Sequence, residues 1–249
     1  MTEPLPIARL ARADGIRLAY RFTDGDGPLL VFLPGYMSDM EGGKAQALFA
    51  HARKTGRACL LLDYSGCGSS DGDFEDGTLE IWREDVLALI DHVWPDGAIL
   101  PIGSSMGGWL ALLVALALSD RVAGLIGLAA APDFTRWGFD EAQKAELRER
   151  GRIVEPSDYG SDYVTTLDFW RSGEANLLLE GEIALSCPVC FLHGQRDDVV
   201  PWDVAVRAAA ALRSDDVQTV LVKDGDHRLS RDADIALLLG MVDDLLERV

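Results

Sequence analysis

Between an apolar run that reads as a buried strand, 98–102, and a strongly helical one, 106–118, the chain leaves only Gly103-Ser104-Ser105-Met106-Gly107 to make the turn. A strand that passes straight into a helix must bend sharply, which strains the backbone at the bend and brings neighbouring chain into close contact. Glycine on both sides gives that room, so the pattern predicts a Gly-x-Ser-x-Gly elbow with Ser105 at its apex. There the serine hydroxyl points away from the sheet. The N–H of Met106, at the helix N-terminus, faces the place where an oxyanion would form. Gly, Ser and Gly are also ordinary turn formers. What singles out this elbow is that an acid and a histidine follow it in the order the arrangement requires.

The remaining chain continues the alternation. Apolar or β-prone runs at 17–22, 29–33, 59–63, 122–129, 189–193 and 217–222 are separated by helical stretches at 44–55, 79–93, 203–212 and 235–249. Such a succession predicts an α/β fold, a mostly parallel sheet with helices on both faces. The 249 residues are read as one domain, 1–249. After the strand that ends near Ala131 come about fifty-five residues before the next strand begins, too many for a plain connection. An inserted lid at about 133–186 is expected there. It carries a charged amphipathic helix, 141–150, flanked by Phe134, Trp137, Phe139, Tyr159, Tyr163, Phe169 and Trp170. These aromatics either glue the lid to the body or line a slot for an acyl chain.

The acid is expected in the turn-rich segment Gly194-Gln195-Arg196-Asp197-Asp198 that follows the strand 189–193. In an open α/β sheet the site lies beyond the carboxyl ends of the strands, which aims Asp197 at the rim that carries Ser105. Asp198 is the alternative for the same role. Of the four histidines, His227 lies in the loop between the last strand and the last helix, where a general base belongs. His51 and His92 fall in helices, and His193 ends a strand, where a hydrogen bond to the backbone of the following turn is expected. The second oxyanion donor is assigned to the N–H of Tyr36 in the turn opened by Pro34-Gly35, beside that of Met106.

Forty-one acidic against 23 basic residues give a net charge of −18, which repels a phosphate backbone and excludes nucleic acid as a direct partner. The first fifteen residues, acidic Glu3 among them, lack a long apolar core, and the apolar run 109–118 is too short to cross a bilayer. No stable membrane insertion and a cytoplasmic location are therefore expected. Cys59, Cys67, Cys187 and Cys190 are read as reduced thiols. Cys187-Pro188-Val189-Cys190 has no second pair to complete a zinc site, and no metal or organic cofactor is implied. Oligomeric state is not fixed by the sequence.

Four segments carry a resemblance to the α/β-hydrolase superfamily, and more narrowly to the branch that holds a mitochondrial acyl-protein thioesterase and its bacterial relatives. They are Phe32-Leu33-Pro34-Gly35-Tyr36-Met37-Ser38, the loop from Asp63-Tyr64-Ser65-Gly66 to Asp71-Gly72, Gly103-Ser104-Ser105-Met106-Gly107-Gly108-Trp109, and Asp226-His227-Arg228-Leu229-Ser230. The resemblance implies an α/β-hydrolase fold and hydrolysis of an acyl thioester or ester, on a small-molecule or acylated-protein substrate, with Ser105, Asp197 and His227 at the triad positions. A serine peptidase using the same residues and a non-enzymatic ligand-binding protein on the same fold are the alternatives.

Overall fold

The computed structural model describes residues 5–156 and 162–249; Glu3 and Tyr159 lie outside them. In chain order the elements are β1 (Ala8–Ala11), β2 (Arg17–Thr23), β3 (Asp26–Leu33), α1 (Gly43–Thr55), β4 (Arg57–Leu62), α2 (Leu79–Val93), β5 (Ile99–Ser104), α3 (Met106–Ala117) and β6 (Leu125–Leu128). After these come α4 (Phe134–Trp137), α5 (Glu141–Arg150), β7 (Arg152–Glu155), β8 (Tyr163–Thr166), α6 (Leu167–Ala175), β9 (Val189–Gly194), α7 (Asp203–Ala211), β10 (Val217–Val222) and α8 (Asp232–Leu246).

Eight strands form one sheet in the order β1-β2-β4-β3-β5-β6-β9-β10. It is parallel from β4 to β10, and antiparallel where β2 meets β4 and where β1 meets β2. Because strand side chains alternate faces, Leu29, Val31 and Leu33 of β3 join the core under α2, α3 and α7, while Leu30 and Phe32 join the core under α1 and α8. Continuous apolar runs in β3, β4, β5 and β9 are what a sheet covered on both faces requires. Helix α3 has no polar face, and Met106 through Ala115 are all buried, as befits a helix packed between the sheet and other helices. Thr78 caps α2 by accepting from the Ile81 N–H at 3.2 Å.

Outside the inserted segment, whose α4, β7, β8 and α6 were not expected, β1, β6 and α8 differ from expectation. β1 is a four-residue, mostly exposed edge strand whose alternation is too short to register in sequence. β6 is shorter than 122–129: Val122 makes only an isolated bridge to Ile99, and the left-handed Ala129 (φ 44°) ends the strand. α8 starts three residues before 235, because the backbone N–H and the guanidinium of Arg231 both donate to Asp234 and fix its first turn.

The segment between β6 and β9 holds α4, α5, the antiparallel pair β7-β8 and α6. Asp133, at its start, accepts from the N–H groups of Leu178 and Leu179, both at 2.8 Å, and so ties its beginning to its end. Glu80 of α2 accepts from Asn176 at 2.5 Å and pairs with Ser172, and Trp109 donates to the Asn176 carbonyl at 3.1 Å. The inserted segment is thus pinned to the helices behind the elbow.

At the elbow the glycines are required by contact. A Cβ on Gly103 would stand 2.0 Å from the Gly107 carbonyl oxygen, and one on Gly107 would stand 2.1 Å from that of Leu33. Alanine normally favours a helix over glycine. Here Gly107→Ala is expected to lower stability by about 3 kcal/mol, the upper end of overpacking penalties, because backbone oxygens cannot step aside as side chains do. Urea unfolding measures it, and a stabilised variant would refute the close approach.

Candidate active site

Ser105 sits at φ 56°, ψ −122°, a conformation an L-residue holds only under constraint. Its N–H donates to the Leu128 carbonyl at 2.9 Å, and its carbonyl accepts from Gly108 at 2.9 Å and Ala131 at 3.0 Å. Three backbone bonds from β6, α3 and the segment beyond β6 over-determine the strained residue and leave its hydroxyl facing a cavity.

The loops after β9 and β10 meet because glycine faces glycine: a Cβ on Gly194 would stand 2.3 Å from the Gly225 carbonyl oxygen. The Arg196 N–H donates to that same carbonyl at 2.9 Å. Across this contact His227 Nδ1 lies 2.8 Å from Asp197 Oδ2, and His227 Nε2 lies 3.1 Å from Ser105 Oγ. The Asp197 side chain is fully buried and that of His227 is 21 % exposed, so the acid is sealed and the imidazole faces the cavity. Asp197 Oδ1 accepts from the N–H groups of Val199 at 2.9 Å and Val200 at 2.8 Å. Burial alone would raise its carboxyl, but hydrogen bonds from His193, His227 and Val200 outweigh burial and hold it well below the usual carboxylate range.

The structure therefore brings together Ser105, His227 and Asp197, and leaves Asp198 on the cavity rim. His51 pairs with Asp243 at 2.8 Å and His92 with the Tyr20 hydroxyl at 3.1 Å, both away from this cavity. His193 reaches the Val200 carbonyl at 3.0 Å, the backbone partner expected of it, and Asp197 Oδ2 at 3.1 Å, which was not expected. Its only sequence signal is the four-residue spacing from strand end to acid. Cys67 is buried, with its thiol pushed up to about 12 by burial and by Asp63 and Asp85, which leaves it protonated and unsuited to act as a nucleophile. No group of three or more metal-binding side chains occurs among the described residues.

The cavity above Ser105 has a volume of about 810 Å³. Tyr36 and Met106 line it beside the serine, and the Tyr36 loop crosses directly over the elbow, since a Cβ on Gly35 would be 3.3 Å from that of Ser105. The Tyr36 ring packs against Phe74, Phe134 and Phe169, and its hydroxyl donates to the Val164 carbonyl of β8 at 2.5 Å. The aromatics of the inserted segment divide between the cavity and the packing of the segment onto the body. Phe134, Trp137, Phe139 and Tyr163 line the cavity, while Phe169 is core and Trp170 donates to the Thr135 carbonyl at 3.1 Å. Lys44, which nothing in the sequence pattern marks, also lines the cavity; burial first, then the charge of Arg228, lowers its ammonium to about 8.

Residues 30–238 match the model of the alpha/beta hydrolase family. The human palmitoyl-protein thioesterase ABHD10, a mitochondrial protein, is 40% identical over 245 residues, which is 96% of this chain and 80% of the human protein. Among solved structures, mouse alpha/beta hydrolase domain-containing protein 10 superposes with a TM-score of 0.91 at 37% identity, covering 98% of this chain and 99% of the mouse one. A protein of Agrobacterium vitis S4 gives 0.89 at 36% identity, covering 97% and 100%. The expected cytoplasmic location is corrected by these relatives, since the human and bovine proteins matched over almost all of this chain are mitochondrial. The error has a physical reason. An acidic α/β domain is stable in any aqueous compartment, and the lack, among the described residues, of a helix able to cross a membrane bears only on insertion.

Proposed function

The chain belongs to the alpha/beta hydrolase family, and on that premise we propose that it is a serine hydrolase cleaving acyl thioesters or esters through an acyl-enzyme, with a fatty-acylated protein or small molecule as substrate. The observation that carries the reading is the unbroken chain from Asp197 through His227 to Ser105, opening into a cavity with an aromatic wall. Ser105 Oγ attacks the acyl carbon as His227 Nε2 takes its proton. The N–H groups of Tyr36 and Met106 receive the oxyanion, and Asp197 holds the imidazolium. His227 then returns the proton to the departing thiolate or alkoxide. A water molecule, deprotonated by the same imidazole, releases the carboxylic acid and restores the serine. The scheme requires no metal or organic cofactor.

Segment 133–186 serves as the lid, and Phe134, Trp137, Phe139 and Tyr163 form the wall against which the acyl chain lies. The relationship to palmitoyl-protein thioesterases favours the thioester as the bond cleaved. The test is hydrolysis of a palmitoyl thioester, a medium-chain thioester and the matched oxygen esters. Faster turnover of the thioesters, falling when Trp137 or Phe139 is replaced by alanine, is the expected result. Turnover of peptide amides but of neither ester type would overturn it.

A further inference from the structure

We propose that His193 is a positioning residue that shares the carboxylate oxygen Asp197 Oδ2 with His227 and thereby limits how strongly the acid holds the base. His193 is the fifth residue of β9, and its side chain is fully buried. Nε2 stands 3.0 Å from the Val200 carbonyl and 3.1 Å from Asp197 Oδ2. Both of those atoms only accept, so Nε2 carries the hydrogen, which is bonded to the Val200 carbonyl and has Asp197 Oδ2 as its second neighbour. Among the described residues Nδ1 has no hydrogen-bond partner. A side chain kept only to fill space would not bury an orphaned nitrogen, because leaving such an atom unpaired lowers stability while an aliphatic residue of like size avoids the loss. What only the imidazole supplies here is the donor on Nε2.

That donor sets the electronics of the site. Oδ2 faces two imidazole N–H groups and Oδ1 two backbone N–H groups, so the negative charge of Asp197 is spread over four donors. Each donor weakens the hold of the carboxylate on the others. With His193 in place the imidazolium of His227 is less stabilised, and the free base persists to lower pH. Without it the imidazolium is better held, and His227 stays protonated, unable to act as a base, to higher pH. The other charged groups that line the cavity with His227 are Lys44 of α1, Asp39 of the loop after β3, Glu155 of β7, Arg196 and Asp198 after β9, and Asp226 and Arg228 on its own loop. None of them is altered by a substitution at position 193.

The inference rests on the triad reading, and the experiment keeps the two apart. The pH profile of kcat/KM is measured for the wild type, His193→Leu and His193→Gln. Leucine removes the donor, and the acid limb is expected to move to higher pH by about half to one unit. Glutamine can place an amide N–H near the position of Nε2, and the limb is expected to return towards the wild type. An unshifted limb for the leucine variant, or equal shifts for both, would overturn the proposal. A second measurement needs neither a variant nor turnover: in 15N-histidine-labelled wild type, His193 is expected to show a protonated Nε2 and a bare Nδ1, and its Nε2–H signal to move as the Asp197–His227 pair titrates. A His193 signal indifferent to that titration also overturns the proposal. Failure of the triad reading shows separately, as activity that survives Ser105→Ala.

Discussion

Ser105→Ala is expected to lower kcat by about 10⁵- to 10⁶-fold, with His227→Ala costing nearly as much and the double variant little more than either. The non-additivity follows from the geometry. Ser105 Oγ is a weak nucleophile unless His227 Nε2, 3.1 Å away, removes its proton, and the imidazole has nothing to act on once the hydroxyl is gone. Any remaining activity is expected from the proposed oxyanion donors and the cavity, which neither substitution alters. The fold is expected to survive, because Ser105 is held by its backbone bonds to Leu128, Gly108 and Ala131, all of which alanine keeps. Steady-state turnover, labelling by a serine-directed fluorophosphonate and a thermal melt together test this. Near-normal turnover by either single variant would remove both residues from the mechanism.

Asp197→Asn should lower kcat by about 10⁴-fold, and an amide fails here for a reason specific to this site. All four neighbours of the carboxylate are donors: the Val199 and Val200 N–H groups on Oδ1, His227 and His193 on Oδ2. An asparagine must turn its NH₂ towards one pair. Turned towards the imidazoles, it selects the His227 tautomer with Nε2 protonated, which cannot take the serine proton. Turned towards the backbone, it faces two N–H groups that lose their acceptor. The same substitution reads out on stability with a definite sign. The folded carboxyl of Asp197 is held below its unfolded value, so its contribution is fully present above about pH 4 and is lost as pH falls through the folded value. The stability gap between wild type and Asp197→Asn, from urea unfolding, is therefore expected to be wide at pH 7 and to narrow steadily below pH 4. A gap that widened with acid would contradict the hydrogen bonding described.

Much of this architecture was legible because local chemistry and global fold agree. Gly103 and Gly107 mark a bend that only close backbone contact demands, and the bend sits where the parallel sheet needs it. The loops carrying Asp197 and His227 follow adjacent parallel strands, and this adjacency is what lets two residues thirty positions apart meet. What escaped the sequence depended on contacts between distant segments. Lys44 enters the cavity wall from the start of α1, and no periodicity marks a lysine for that place. The hydrogen bond from Tyr36 to β8 links positions 36 and 164, and nothing in either neighbourhood points to the other. His193 is the exception, only four residues from Asp197; their contact is set by how the turn between them folds back, which the spacing alone does not fix.

Tyr36 holds two positions at once, its peptide unit over the elbow and its phenol bound to the inserted segment. A mutation that reshapes the pocket at this residue also disturbs the backbone beside the serine, so substrate range and catalytic rate cannot drift independently through it. Phe134, Trp137, Phe139 and Tyr163 touch the cavity from the inserted segment instead. On the proposed reading, change in the acyl group accepted is easier through those four side chains than through Tyr36, where the fold resists it.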